Sequence, residues 1–279
     1  MTRRSISDMK LFLLVITLLF SLALAADEIR IVSLSPSLTE LICVLGGESK
    51  LVGRSTACNY PETVRKITAA GDFAKPNVEM IAALRPTVIV ADSLYPPAAG
   101  EMLRKLGFRL IVKPNTTLNE YLQWVTLLGR ELRMEKAAET ECARVKQQRA
   151  ALLKNNGKIP ENKRPRIVWL LWHDPLLAAG GGSLCDEVIH LSGGVNPAGK
   201  EKDYFRPSVE WLLQTDPDIL ILLHGQGNAA GLLRKHPALK NIKAVKNNRI
   251  ITDLPEDLLL RPGPRLFEGI RLLMKAAAE

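Results

Sequence analysis

Short apolar runs alternate along this chain with stretches whose apolar positions recur every three or four residues. In the first half, the apolar runs predict strands over 29–35, 50–55, 87–92 and 108–113. The stretches between them predict helices over 36–47, 77–84 and 98–107. Strands that alternate with helices indicate βαβ units and a mostly parallel sheet.

The second half of the chain restarts the same alternation after a polar linker. Its apolar runs predict strands over 165–173, 217–224 and 247–253. Its helical patterns cover 183–194, 206–216, 229–236 and 262–278. A Gly-Gly pair ends the first helix of each half, at Gly46-Gly47 and Gly193-Gly194.

One phrase occurs in both halves: Pro-x-Val-Glu, an apolar helical run, a second Pro and an apolar strand. It begins at Pro76 and again at Pro207, an offset of 131 residues. Recurrence of several elements in the same order indicates an internal repeat rather than chance similarity between βαβ units. The chain is therefore predicted to contain two similar lobes.

Two long helical patterns, 118–133 and 135–155, separate the halves, and the polar segment 155–165 follows them. We predict an α/β fold of two similar lobes with mostly parallel sheets, joined by one long bridging helix. The predicted parts are an N-terminal lobe at 26–134, the bridging helix at 135–156 and a C-terminal lobe at 157–279. Ligands bind outside the carboxyl ends of strands in open α/β sheets, so a ligand cleft is expected between the lobes.

The first 25 residues differ from the rest. Arg3, Arg4 and Lys10 precede a short apolar run that ends in the small-x-small sequence Ala23-Leu24-Ala25, which is typical of a cleavable signal peptide. The alternative is a retained membrane anchor, for which the run is short. No Cys follows it to carry a lipid. Cleavage predicts an exported, periplasmic protein. The protein is also expected to be a monomer.

Composition is ordinary for a globular protein, with 47% hydrophobic and 24% charged residues. The net charge is +9, and loss of residues 1–25 removes three basic residues and one acidic residue, which leaves +7. The Lys and Arg residues are scattered along the sequence, and export argues against a nucleic-acid partner.

The four cysteines form no Cys-x-x-Cys motif, so the sequence gives no support for a zinc or thioredoxin-type site. Export permits disulfides, but the sequence leaves their pairing open. Cys43 and Cys142 lie in helical patterns typical of buried positions, whereas Cys58 lies in a loop. The sequence also carries no Gly-x-Ser-x-Gly, phosphate-loop or His-Glu-x-x-His motif, so a binding protein is favoured over an enzyme.

Several segments together resemble one family. They are "IVSLSPSLTELICVLG", "LVGRSTACNYP", "GDFAKPNVEMIAALRPTVIVA" and "RPSVEWLLQTDPDILIL". In their order and spacing they are similar to the periplasmic substrate-binding proteins of ABC importers for vitamin B12 and iron chelates. The resemblance implies two lobes joined by a long helix, a small-molecule ligand and a membrane permease dimer as partner. "NYP", Phe73 and "RPGPRLFEG" are most similar to the cobalamin-binding branch.

A corrinoid, vitamin B12 or cobinamide, is therefore the expected ligand. Ala57 stands where a vitamin B12 binder has Tyr, so a ferric siderophore or haem remains an alternative. A metal-cofactor chelatase or reductase on the same frame, using Cys58, His173 and His224, is the alternative from a different class. No resident cofactor or metal is expected.

Loops after the predicted strands, and the turn before the last helix, supply the candidate ligand contacts. These are Ser35, Pro36, Ser37, Cys58, Asn59, Tyr60, Phe73, Ala74, His173, Asp174, Tyr204, Phe205, His224, Glu256, Leu258 and Arg261. A large flat ligand needs apolar faces, which favours Phe73 and Tyr204, whereas Trp172 is interpreted as core packing.

The polar candidates have separate expected roles. Ser35 or Ser37 can cap the following helix as well as bind ligand. His173 and His224 are expected to contact the ligand periphery rather than its metal. Arg261 can bind a carboxylate or phosphate.

Glu79 and Glu210 occupy the same place in the repeated phrase. An acidic residue in the first turn of a helix is favoured by the helix dipole, which is sufficient to explain both residues. The family resemblance implies a second role, in which one Glu on each lobe docks against a two-fold symmetric transporter.

Overall fold

Buried parallel strands form the centre of each half of the chain. The computed structural model describes residues 28–72, 75–223 and 229–278. These divide into two units, of which the first holds 28–35, 48–91 and 95–112 and the second holds 36–47, 92–94 and 113 onward. Residues 1–25, the predicted signal peptide, lie outside the described residues. The predicted lobe boundaries and the bridging role of one helix stay predictions.

The first sheet contains β1 (Ile31–Ser33), β2 (Leu51–Arg54), β3 (Val88–Asp92) and β4 (Leu110–Lys113) in the order β2-β1-β3-β4. β1 runs parallel to both β2 and β3. All five residues of β3 are buried, as expected for a strand covered on both faces. Val32, Ile89 and Ala91 pack in the core of this unit with Ile81 and Leu103.

The second sheet has the order β7-β6-β5-β8-β9. Its strands are β5 (Ile167–His173), β6 (Leu176–Ala179), β7 (Tyr204–Phe205), β8 (Ile219–Leu222) and β9 (Ile250–Ile251). β5, β8 and β9 are parallel neighbours, whereas β6 and β7 pair antiparallel at the other edge. The predicted α/β class is confirmed, and the antiparallel edge is an addition that the sequence pattern did not indicate.

The helical patterns of the sequence match helices of the structure to within a few residues, whereas two short helices, Lys243–Lys246 and Glu256–Leu259, were not predicted. The helices of the described residues follow in chain order. They are α1 (Pro36–Val44), α2 (Val78–Ala83), α3 (Pro97–Lys105), α4 (Leu118–Leu132), α5 (Glu135–Asn156), α6 (Leu184–Leu191), α7 (Val209–Thr215), α8 (Ala229–Lys235), α9 (Lys243–Lys246), α10 (Glu256–Leu259) and α11 (Leu266–Ala278). Within the described part of the chain, no helix is both long and apolar enough to span a membrane.

Helices α1 and α6 end with the same glycine geometry. Gly46 and Gly193 adopt φ values of 86° and 93°, the left-handed conformation that glycine adopts without strain. The next residue then bonds back into the helix, from Gly47 N to Ile42 O at 2.8 Å and from Gly194 N to Ile189 O at 3.0 Å. The paired glycines of the sequence therefore act as matching helix stops.

Candidate functional site

The loop after β2 holds a buried polar cluster at the carboxyl end of the first sheet. The Cys58 thiol lies 3.2 Å from Ser55 Oγ and 3.9 Å from the Ser33 carbonyl oxygen. Ser33 Oγ in turn donates to the carbonyl of Ser35 at 3.3 Å. Cys58 is only 1% exposed and Ser35 is fully buried, so their side chains support the loop from the protein interior.

Asn59 and Tyr60 continue this loop toward solvent. Asn59 is half-buried, and Tyr60 is 46% exposed, a large fraction for an aromatic side chain. Phe73 and Ala74, the other candidates of this unit, lie outside the described residues. Of the described candidates here, Tyr60 is the side chain that presents an apolar face.

The carboxyl end of β5 presents a second group of candidates. Trp172, interpreted from the sequence as core packing, is instead 40% exposed, and its Nε1 donates to the carbonyl of Asp174 at 2.9 Å. The Asp174 carboxylate pairs with Lys235 at 3.0 Å. The core-packing interpretation of Trp172 is therefore wrong, because the end of β5 extends beyond the buried part of the sheet.

His173 is half-buried at the same strand end. Its Nδ1 is buried and makes no hydrogen bond within the described residues. Its carbonyl oxygen lies 3.0 Å from His236 Nε2, which ties the strand end to the segment after α8. His224, the candidate at the end of the neighbouring strand, lies outside the described residues.

Tyr204 and Phe205 form β7 and have opposite surroundings. Tyr204 is 45% exposed, and its hydroxyl bonds to the buried Cys185 thiol. Burial raises the pKa of Cys185 to about 12 and the pKa of Tyr204 well above its usual value, so both groups are neutral at physiological pH. Phe205 packs edge-to-face on Trp211 with ring centroids 5.2 Å apart. Phe205 thus contributes to the core, while Tyr204 keeps an exposed ring.

The segment around α10 supplies the last candidates. Leu258 is buried against Gly269, where an added side chain would clash with it. Glu256 is half-buried, and Arg261 is half-buried and pairs with Asp257 at 2.6 Å. Arg261 is therefore held in place, with its charge balanced by a neighbouring carboxylate.

Asn115 joins two candidate segments that are far apart in sequence. Its Nδ2 donates to Ser37 Oγ at 2.8 Å and to the Pro262 carbonyl at 3.1 Å. Its own Oδ1 is buried and has no hydrogen-bond partner among the described residues. The structure therefore brings the start of α1, where Pro36 and Ser37 lie, next to the turn after Arg261. Asn115 itself follows β4, so the strand-end rule that located the other candidates would also have found it.

Glu79 and Glu210 lie in the first turns of α2 and α7, and both are exposed. Each helix is capped by the residue two positions before its Glu. Asn77 Oδ1 accepts from Met80 N, and Ser208 Oγ accepts from Trp211 N. A hydrogen bond from its own backbone amide, then one from Ser208, lowers the pKa of Glu210. The two acids have equivalent local settings, as the repeat predicted.

No group of three or more His, Cys, Asp or Glu residues within the described ranges is arranged to hold a metal ion. The candidates instead combine exposed aromatic rings with polar groups that are fixed by neighbours. In each unit, an exposed ring near such polar groups suits contact with a large, partly apolar ligand that has polar substituents.

Comparison with known proteins gives a consistent family. A family model described as periplasmic binding protein matches residues 31–257. An uncharacterized ABC transporter substrate-binding lipoprotein of Bacillus subtilis, YvrC, is 26% identical over 88% of this chain and 79% of that protein. The vitamin B12-binding protein of Photorhabdus laumondii is 28% identical over 95% of this chain and 93% of that protein. The solved apo structure of the periplasmic heme-binding protein RhuT from Roseiflexus has a TM-score of 0.78 and 27% identity, covering 91% of this chain and all of that one.

Proposed function

Because the chain belongs to the periplasmic binding protein family, we propose that it captures a flat, metal-bearing macrocycle outside the cytoplasm and delivers it to an ABC importer. The relatives carry names of binding proteins rather than of enzymes. Its role is therefore binding and delivery, and the cargo leaves chemically unchanged.

The observation that carries this proposal is the presence of exposed aromatic rings among the candidate residues of each unit. Tyr60, Trp172 and Tyr204 are each 40–46% exposed, although large aromatic side chains favour burial. Tyr60 lies in the loop after β2, Trp172 lies near the carboxyl end of β5, and Tyr204 lies in the short edge strand β7. A corrin or porphyrin ring offers wide apolar faces to aromatic side chains and polar substituents around its rim.

A corrinoid is the first candidate cargo. The rim of a corrin ring carries amide side chains, which need both donors and acceptors. Among the candidates, Asn59 of the first unit and Asp174 of the second unit carry such groups, and the relative from Photorhabdus laumondii is a vitamin B12-binding protein. Neutral amides do not require a strong positive field, which agrees with the pairing of Arg261 with Asp257.

Haem is the second candidate, and His173 is the observation that favours it. His173 lies half-buried at the carboxyl end of β5, and an imidazole is a common axial ligand of haem iron. A corrinoid usually arrives with its axial positions filled. Arg261 is able to pair with the carboxylates that haem carries.

Absorbance titration distinguishes the two candidates. Cyanocobalamin, cobinamide, haemin and a ferric siderophore are each added to the purified protein and to His173→Ala. Corrinoid binding that is tight and insensitive to His173→Ala supports the first candidate. A shifted haem absorbance band that His173→Ala abolishes supports the second. Binding of none of the four, or of the ferric siderophore alone, contradicts the proposal.

Delivery requires contact with the importer. We assign this contact to Glu79 and Glu210, which hold equivalent positions in the repeated helix-strand unit. Two exposed carboxylates in matching settings suit a two-fold symmetric permease, where charged groups set orientation more than affinity. Export itself is proposed to use residues 1–25 as a cleavable signal peptide.

A further inference from the structure

Two basic segments that lie far apart in sequence meet at the amino-terminal ends of the parallel strands of the second sheet. We call this end of the sheet its amino-terminal edge. Arg166 precedes β5, and Arg249 precedes β9, while Asp218 precedes β8 between them. Since these three strands are parallel neighbours, the residues before them lie at the same, amino-terminal edge. This edge is opposite to the strand end that carries Trp172 and His173, so it is separate from the proposed cargo site of this unit.

Two adjoining cavities occupy this edge, with volumes of about 780 and 580 Å³. Both are lined by Asn162, Arg164 and Asp218. Among the described residues that line either cavity, the cations are Lys163, Arg164, Arg166, Lys243 and Arg249, and the acids are Glu161 and Asp218. The edge therefore carries an excess of positive charge around a concave surface. In the sequence its cations are spread over 87 positions, from Lys163 to Arg249.

The acids at this edge are engaged by the protein itself. Asp218 Oδ2 accepts from the Arg166 backbone amide at 2.8 Å, and its Oδ1 lies 4.0 Å from Lys243 Nζ. Asp216 accepts from the Lys243 backbone amide at 2.7 Å, which lowers its pKa. These carboxylates thus fix the backbone of the edge and neutralise only part of its charge.

The guanidinium groups differ in how they are held. Arg164 donates to the carbonyls of Asn156 at 2.7 Å and Ile159 at 2.9 Å, so its position is fixed at the end of α5. The exposed Arg166 side chain makes no hydrogen bond or ion pair within the described residues. Arg164 and Arg166 line the same cavity, where Arg166 has an uncommitted guanidinium and Arg164 adds a fixed positive charge for an oxyanion.

We propose that this edge, defined by Arg164, Arg166 and Lys243, binds phosphate groups. Guanidinium groups bind phosphate oxygens in pairs, and a Lys ammonium adds a compact charge. A multiply charged phosphate, either free or on a lipid headgroup, suits several cations better than a single carboxylate does. The site is independent of the macrocycle and of its delivery.

The test uses pyrophosphate as the free probe, and vesicles of phosphatidylcholine with or without phosphatidylglycerol as the lipid probe. Calorimetry and vesicle co-sedimentation are run on the wild type, on Arg166→Gln/Lys243→Gln, and on the control Arg130→Gln/Lys146→Gln. The control removes two exposed charges from α4 and α5, away from the cavities. The site variant is expected to weaken binding about tenfold or more, and the control less than about twofold.

The source of the phosphate follows from which probe binds. Pyrophosphate binding that depends on Arg166 and Lys243 identifies a free phosphate ligand, and vesicle binding with the same dependence identifies a lipid surface. Absence of binding to both probes, or equal loss in site and control variants, overturns the proposal. Since Lys243 also pairs with Asp216, Arg166→Gln alone gives the same test if the double variant unfolds. Macrocycle titration of the same variants is expected to be unchanged, so failure here is separable from failure of the proposed function.

Discussion

Arg265 holds Glu40 in a two-point ion pair, although 225 positions separate them in sequence. Arg265 Nε lies 2.8 Å from one carboxylate oxygen of Glu40, and Nη2 lies 2.6 Å from the other. The Glu40 side chain is 5% exposed. This pair attaches α1, which follows the first strand of the chain, to the turn that precedes the last helix.

Removal of Arg265 is expected to destabilise the protein strongly. Arg265→Ala would leave the Glu40 carboxylate buried without its partner, at a cost of about 3–5 kcal/mol in the free energy of unfolding. Urea denaturation checks this, with Arg271→Ala as the control, because Arg271 is exposed and, within the described residues, its side chain bonds only to Gln148 Oε1, at 3.2 Å. The control should change stability by less than about 0.5 kcal/mol. Equal stability of the two variants would show that the pair contributes nothing.

Two tryptophans of the second unit are expected to separate binding from folding. Trp172→Ala removes an exposed ring at the candidate site and should weaken macrocycle affinity by about tenfold or more with little loss of stability. Trp211→Ala removes a ring that packs on Phe205 and on the hydrophobic core around β5 and β8, and it should lower stability instead. Titration and thermal unfolding of both variants give the comparison. Unchanged affinity in Trp172→Ala would remove this residue from the site.

His190 and Asp186 give a pH-dependent contribution to stability. The Asp186 carboxylate, which bonds His190, raises the pKa of His190 against the lowering effect of burial, and Arg164 and Glu161 act more weakly in opposite directions. Arg149 and Glu187 line one cavity together with Asp186 and His190. A raised folded-state pKa means that this contribution is full below about pH 6.5 and is lost as pH rises through the folded pKa.

His190→Gln is therefore expected to lower the melting temperature more at pH 5.5 than at pH 8.5. The side chain of His190 is 46% exposed, so the effect should not exceed about 1 kcal/mol. Melting curves of the wild type and the variant across this range provide the measurement. A difference that grows with pH would contradict the assigned direction.

Loss of both docking acids is expected to impair delivery without affecting capture. Glu79→Ala/Glu210→Ala should keep ligand affinity, because both side chains are exposed and lie in the first turns of short helices. Uptake by cells that carry the matching importer should fall. Glu139→Ala/Glu268→Ala removes two other exposed acids and serves as the matched control. A parallel fall in affinity and uptake would place Glu79 and Glu210 in the fold or the ligand site.

The sequence predicted much of the fold because its signals are local. The offset of 131 residues relates the helix caps Asn77 and Ser208, and it also relates Arg85 and Asp216, which both adopt left-handed backbone with φ of 47° and 44°. Caps, turns and apolar runs are encoded by neighbouring residues, so one sequence is sufficient to locate them.

Features that depend on distant residues were not predictable in the same way. The ion pair between Glu40 and Arg265 has no local signature. The four-residue strand β6 lacks clear alternation of apolar and polar residues, so the antiparallel edge was missed. Trp172 was misinterpreted because an apolar run does not reveal where the sheet ends and solvent begins.

The most direct test of the central claim is equilibrium titration of the purified protein with cyanocobalamin, followed by recovery and spectroscopy of the cargo, with cobinamide, haemin and a ferric siderophore in parallel. We expect saturable binding of one macrocycle per chain, and recovery of that ligand unchanged. If none of the three macrocycles binds saturably, if only the ferric siderophore binds, or if the ligand is converted during incubation, the account of this chain as a macrocycle-binding component of an importer is contradicted.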